Sequence, residues 1–167
     1  MNDEIKLENI HIRTQLRPGD IGYITYLHGH LYREEYNYGI EFEAYVAVGL
    51  AEFYNQYDPE KDCVWVCEHG NKIVGFLLLM HRGEAAQLRY FIIEPLYRGI
   101  GLGNKLLGLY MDYLRQKNYK TSYLLTTDEL PASAYLYRKY GFQLTHQKPS
   151  TAFGKAVMEQ RYEMVVK

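Results

Sequence analysis

The residues with the clearest capacity for chemistry form the run Y97-R98-G99-I100-G101-L102-G103-N104-K105, which follows a strand-like segment ending at Glu94 and Pro95 and opens an amphipathic helix. Glycines lack a Cβ and let backbone approach a ligand closely, and the first amides of the following helix point outward with the positive end of the dipole behind them. Such a corner suits a phosphate. Spacing separates three phosphate-binding readings. A Walker loop needs Lys after its last glycine, and Gly103 is followed by Asn104. A dinucleotide fingerprint, counted from Gly99 or Gly101, finds Asn104 or Leu106 where its third glycine belongs, and the corner does not open a βαβ unit. The pattern that fits is R-x-x-G-x-G, with Arg98, Gly101 and Gly103 in place. A helix start rich in glycine only for tight turning is the plainer alternative, but an interior glycine costs about 1 kcal/mol relative to alanine, and stability alone does not explain this cluster.

The elements that must hold this corner are legible from periodicity. Ile10 to Leu16 alternates weakly, as an edge strand does, and Asp20 in R-P-G-D is placed to cap a helix. Ile21, Ile24, Leu27, Leu31 and Tyr32 recur at helical spacing, and Phe42, Tyr45, Val46, Leu50, Phe53 and Tyr54 do so again after a break at Asn37 to Gly39. From Cys63 the period is two: a strand, a turn at His69-Gly70-Asn71, a second strand, a turn at Arg82-Gly83-Glu84, and a third strand stopped by Pro95. Leu102, Leu106, Leu107, Tyr110, Met111 and Leu114 mark a helix face, T-S-Y-L-L-T-T a strand, and Pro131 to Tyr140 a last helix. Two strands near Phe142 to His146 and Val157 to Val166 close the chain. This order predicts an α/β (α+β) fold with a mixed, mostly antiparallel sheet flanked by helices, in one domain over residues 1–167.

Composition narrows the class. With 47% hydrophobic and 23% charged residues the chain is globular, and a formal charge of -1 withholds the cationic excess of a nucleic-acid binder. No segment approaches the ~20 apolar residues of a membrane span, and Met1 to Ile10 has no signal-peptide core, so the expectation is a cytoplasmic protein with no nucleic-acid or membrane partner. Cys63 and Cys67 share a strand face but lie roughly 13 Å apart along it, too far for a disulfide, and read as buried free thiols. No metal is expected.

The corner and its neighbours resemble the GNAT superfamily of N-acetyltransferases. N-K-I-V-G-F-L-L-L is similar to that family's second and third strands, R-Y-F-I-I-E-P-L-Y-R-G-I-G-L-G to its fourth strand and pyrophosphate corner, and A134-Y135-L136-Y137-R138-K139-Y140-G141-F142 to its L-Y-x-K-x-G-F segment. A narrower likeness joins Arg17–Tyr23, His28–Tyr36, Phe42–Ala47 and Phe153–Lys155 to the acetyltransferase half of MarR/GNAT fusion proteins. With no winged helix ahead of it, that half is expected alone, without the DNA binding.

The resemblance implies acetyl-coenzyme A as cosubstrate, an amine acceptor, most simply a small molecule, and direct attack in a ternary complex. It implies coenzyme contacts from Phe91, Ile92, Ile93, Arg98, Gly99, Ile100, Gly101, Leu102, Gly103, Asn104 and Lys105, with the Phe91 amide at the thioester oxygen and a strand splay after Ile92. Tyr137 becomes the acid for the departing thiolate, since a phenol with a reference pKa near 10 donates at neutral pH. The base is open. Strand positions where relatives carry an acid or histidine hold Gln87 and Arg89, and Glu84 or Asp128 would act through water. His28, Tyr32, Glu35 and Tyr36, with Glu43, are candidates for the acceptor pocket; His28 and His30, two residues apart, cannot both face it. Leu130 stands where many relatives carry an asparagine that contacts the coenzyme. A homodimer is common in the family. A noncatalytic acyl-coenzyme A or metabolite sensor, or a protein N-acetyltransferase, would use the same corner.

Overall fold

The period-two segments become one seven-stranded sheet, with helices on both faces. The structure, a computed structural model, describes residues 4–167. In chain order the elements are β1 (His11–Arg13), α1 (Asp20–Tyr36), α2 (Ile40–Asn55), β2 (Cys63–His69), β3 (Lys72–Arg82), β4 (Ala85–Ile93), α3 (Leu102–Gln116), β5 (Thr121–Thr127), α4 (Pro131–Lys139), β6 (Gln143–Ser150) and β7 (Val157–Val165). The strands lie in the order β1-β2-β3-β4-β5-β7-β6, and only β4 and β5 run parallel. Two cores result. Val64, Val66, Phe76, Leu78 and Met80 pack against α1 and α2, while Cys63, Trp65, Cys67, Leu77 and Leu79 pack against α3 and α4. Alternation along a pleated strand produces this division, and it buries both cysteines as free thiols.

Three local expectations are corrected. Asp20 does not cap α1: Gly19 holds the N-cap position at φ +96°, and Asp20 is the first helical residue. Its carboxylate instead receives Arg13 Nη1 and Nη2 at 2.6 and 2.8 Å and the Arg17 amide at 2.7 Å. Burial works to raise the pKa of Asp20, but these donors outweigh it and leave the net shift downward. The ion pair ties β1 to the start of α1, and Arg13 Nε bonds Glu68 on β2 as well. The first strand is shorter than its alternation suggested, three residues rather than Ile10 to Leu16. Tyr45 and Tyr54 on α2 have the helical spacing of the buried residues yet are 42% and 63% exposed, because they sit at the margin of the stripe that Val46, Leu50 and Phe53 bury.

The sheet is irregular where it matters. Leu78 pairs with Arg89 and Phe76 with Ile92, so Tyr90 and Phe91 together oppose Leu77 in a β-bulge, and Tyr90 adopts φ +59°. Parity reverses across it. Ala86 and Leu88 face the α3 core, and beyond the bulge Phe91 and Ile93 do so while Tyr90 and Ile92 face α1 and α2. The left-handed conformation is uncommon for a bulky side chain, and packing must hold it. Part of that packing is Gly49 on α2, where an added Cβ would stand 1.7 Å from the Tyr90 hydroxyl. Alanine in a helix interior ordinarily gains about 1 kcal/mol over glycine. Here Gly49→Ala is expected to lower stability by about 1–3 kcal/mol, as overpacking does. Because the Tyr90 hydroxyl is buried without a hydrogen-bond partner among the described residues, adding Tyr90→Phe should recover part of the loss, read as denaturant midpoints of the single and double variants.

Candidate functional site

The glycine corner lines a groove. Gly99 and Gly101 adopt φ +79° and +92°, and Gly101 is the N-cap of α3. The first intrahelical bond runs from Lys105 N–H to the Gly101 carbonyl, so the amides of Leu102, Gly103 and Asn104 have no partner within the helix. Gly103 serves packing: a Cβ there would lie 3.2–3.4 Å from Leu136, Phe91 and Ile93. A cavity of about 310 Å³ runs over Arg98, Gly99, Gly101 to Asn104, Phe91 to Ile93 and the start of α4. Arg98 is engaged by its own chain. Its Nε donates to the Ile93 carbonyl at 3.0 Å and both Nη atoms donate to Glu35 on α1, a pairing that raises its pKa further. Asn104 Oδ1 accepts from Lys139 and Tyr140 at 2.8 and 2.7 Å, which fastens α3 to the end of α4. Ile100 packs against the α3 core and Lys105 is exposed, and neither lines the groove.

The splay begins earlier than the sequence implied. Ladder pairing between β4 and β5 covers Ala85–Leu88 and Thr121–Leu124 and then stops, four residues before Ile92. The bulge explains the shift, since it bends β4 away from its parallel neighbour just past the last paired residue. Where the strands part, a second cavity of about 110 Å³ opens on the α1/α2 side. It shares Tyr32, Phe91, Leu130 and Ser133 with the groove, so the two meet at the bulge. Aromatic rings of Tyr32, Tyr38, Phe42 and Phe153 form its wall, with centroids of successive pairs 4.4–5.8 Å apart.

Tyr137 lies in the wall of this second cavity, 5% exposed, its ring 6.1 Å from that of Phe91. Burial pushes its phenol pKa above the ordinary value, against a smaller opposing effect of Ser133 one turn earlier. His28 also lines the cavity. Its Nδ1 lies 2.8 Å from the Ile24 carbonyl and so carries the proton, which makes Nε2 an acceptor, and Nε2 has no partner among the described residues. Burial lowers the His28 pKa to about 4. The imidazole is therefore neutral through the physiological range, and its ring proton shifts are expected to stay constant in an NMR titration from about pH 5.5 to 8. In the unfolded chain the proton binds near 6.5 and in the folded one near 4, so acidification across that interval favours unfolding.

Other sequence candidates fall elsewhere. Glu84 sits in the β3–β4 turn beside Lys117 and Lys120, in a separate hollow. Seven residue steps along the strand, roughly 23 Å, separate it from Phe91. Asp128 is exposed at the end of β5, where it accepts the Met158 amide at 3.0 Å and lines neither cavity. Glu35 and Tyr36 line the groove rather than the aromatic cavity. Glu43 lies over Gly29, and His30 stacks on Tyr26 with centroids 5.5 Å apart.

Sequence reading missed Tyr38, Phe42 and Glu159 as cavity residues. Phe153 carried a signal in its F-G-K context; it is brought in by Lys155, whose Nζ donates to the Tyr36 carbonyl and Glu129 at 2.8 and 2.7 Å. Glu159 carried none, because its place depends on the pairing of β7 with β5 opposite Thr127.

Comparisons with known proteins bear on the family and the fold. The family model described as Acetyltransferase (GNAT) family matches residues 25–142. The chain is 31% identical over 98 residues to an uncharacterized N-acetyltransferase, YjgM, of Escherichia coli K12, across 56% of this chain and 59% of that one. It is 35% identical over 72 residues to the [Ribosomal protein bS18]-alanine N-acetyltransferase of Haemophilus influenzae, across 43% and 49% respectively. The chain thus spans between half and three fifths of the length of these curated relatives. Among solved structures, a GNAT-family acetyltransferase of Staphylococcus aureus Mu50 aligns over 95% of this chain and 99% of its own with TM-score 0.75 at 18% identity. The Vibrio cholerae spermidine N-acetyltransferase, solved with CoA and spermine, aligns over 95% and 96% with TM-score 0.69 at 22% identity. At those identities the structures are evidence of a shared fold.

Proposed function

This chain belongs to the acetyltransferase (GNAT) family, and from that premise we propose that it moves the acetyl group of acetyl-coenzyme A onto an amine by direct attack in a ternary complex. The observation that carries the reading is the junction at the bulge: a groove lined by free helix amides meets a separate aromatic cavity at Phe91, Leu130 and Ser133. A transfer between two bound molecules needs two such compartments sharing one point.

In this reading the diphosphate of the coenzyme is gripped by the amides of Leu102, Gly103 and Asn104, with the α3 dipole behind them. Arg98, held by Glu35 and the Ile93 carbonyl, braces the corner against α1 and β4. The pantetheine arm follows Ile93 and Ile92, and the thioester oxygen takes the Phe91 amide, whose donation strengthens as charge develops there. Once its ammonium proton has been removed, the amine nitrogen attacks the carbonyl carbon from the aromatic cavity, the C–S bond breaks, the leaving sulfur takes the Tyr137 proton, and the proton shed by the new amide nitrogen leaves to solvent, from which Tyr137 is re-protonated. His28 supplies an uncharged acceptor for an N–H of the entering amine. Glu159, the carboxylate of the cavity wall, is the proposed destination of the ammonium proton, in place of Glu84 or Asp128.

The relatives differ in acceptor, a polyamine for one and a protein alanine for another. Release of free thiol from acetyl-coenzyme A in the presence of an amine panel tests the activity. Coenzyme binding by calorimetry with no thiol release on any amine would replace it with a sensor role, the one that likeness to regulator-fused domains suggests.

A further inference from the structure

The aromatic cavity contains a guanidinium in an unusual setting. Arg89 pairs with Leu78, whose side chain faces α1 and α2, so Arg89 faces that side too. Ordinary alternation would send the next residue to the opposite face, but the bulge keeps Tyr90 on the same one. The guanidinium carbon consequently lies 4.7 Å from the centroid of its own neighbour's ring. The ring beneath it restricts the guanidinium. Its one side-chain hydrogen bond among the described residues is to the Tyr45 hydroxyl at 3.3 Å, and it forms no ion pair there. Arg98, Arg82 and Arg13, by contrast, each have a carboxylate.

A guanidinium without an ion pair on the wall of an aromatic-lined cavity matches a carboxylate, which accepts two parallel N–H bonds. Glu159 lines the same cavity, also without an ion pair among the described residues. The two balance in charge, as a zwitterion requires, whereas a polyamine would set its cations against Arg89. Tyr32, Phe42 and Phe153 offer the remaining wall to an apolar side chain.

We propose that the acceptor is an α-amino acid with an apolar side chain, whose carboxylate is held by Arg89 and whose amine is directed toward the bulge at Phe91. This deepens the acetyl-transfer reading and rests on it for the fate of the amine; the binding site stands on Arg89 and the aromatic wall.

The test uses L-phenylalanine and L-leucine beside their carboxamides, with spermidine and an alanine-initiated hexapeptide, in two assays: thiol release from acetyl-coenzyme A, and calorimetry on protein saturated with coenzyme A. The amino acids are expected to exceed their carboxamides by about tenfold or more in kcat/KM or affinity, as loss of a charged hydrogen-bonded pair implies. Arg89→Gln should erase that ratio while leaving coenzyme affinity and Tm near wild type. Binding of the amino acids without thiol release would refute acetyl transfer and leave the carboxylate site standing. Turnover of spermidine or the peptide with amino acids inert and unbound would overturn the proposal and leave acetyl transfer standing. No binding by any amino acid, or an undiminished ratio in Arg89→Gln, also overturns it.

Discussion

Gly101→Glu is expected to abolish coenzyme binding while leaving the protein folded. Gly101 is the N-cap of α3 at φ +92°, so any side chain there carries roughly 1–2 kcal/mol of backbone strain. A carboxylate beside a helix N-terminus gives back part of that through the dipole. Stability therefore falls little. The diphosphate, however, would meet a negative charge where it needs exposed amides. Like charges about 4 Å apart at an effective dielectric of about 20 repel by about 4 kcal/mol, roughly a thousandfold in Kd. Gly101→Ala separates the causes, since it keeps the strain and omits the charge, and should weaken binding by no more than about tenfold. Calorimetry on the two variants beside thermal unfolding reads both effects. Unchanged affinity in the glutamate variant would mean that the groove at the corner is not the coenzyme site.

Tyr137→Phe is expected to lower kcat by about a hundredfold or more, the range for a positioned general acid, with affinity for acetyl-coenzyme A retained. A variant that lost an interaction made only as the thiolate departs lowers kcat and kcat/KM together. The pH dependence adds a sign. Burial raises the Tyr137 pKa above the ordinary tyrosine value, with Ser133 offsetting part of the rise. The proton-donating form therefore persists on the alkaline side, and wild-type kcat should show no fall through about pH 9–10 from this group. An alkaline limb in the wild type that vanishes in the phenylalanine variant would assign Tyr137 an ordinary, exposed pKa and contradict its buried place.

The local shape of the corner was legible in the sequence, because two glycines at positive φ and a helix start within a few residues need no distant partner. Tyr137 was singled out only by its L-Y-x-K-x-G-F context, and its own helix carries it between Pro131 and Gly141. The two-residue alternation from Cys63 onward likewise determined which side chains face each helical layer, because a strand's pleat requires no partner to define it. Parity fails at two bulges, in β3 between Val74 and Phe76 and in β4 past Arg89. A single added residue at Tyr90 reverses the faces downstream, and nothing in A-A-Q-L-R-Y-F-I-I marks a bulge; Tyr90 there packs against His28 on α1 and Gly49 on α2.

His28 and Tyr32 of the aromatic cavity were named from sequence, but its charged residues were set by the tertiary structure. Glu84 and Asp128 are attractive as residues near strand ends, yet strand direction carries Glu84 to the far end of β4 and a backbone bond occupies Asp128. Glu35 is drawn from the acceptor pocket to Arg98, 63 positions away in sequence. Arg89 and Glu159 line one cavity because β4 and β7 flank β5, a pairing order that no local pattern encodes. Sequence determined what is set by dihedral angles and periodicity within an element; which elements meet, and so which charges share a cavity, depends on long-range pairing whose free energy exists only once the sheet has formed.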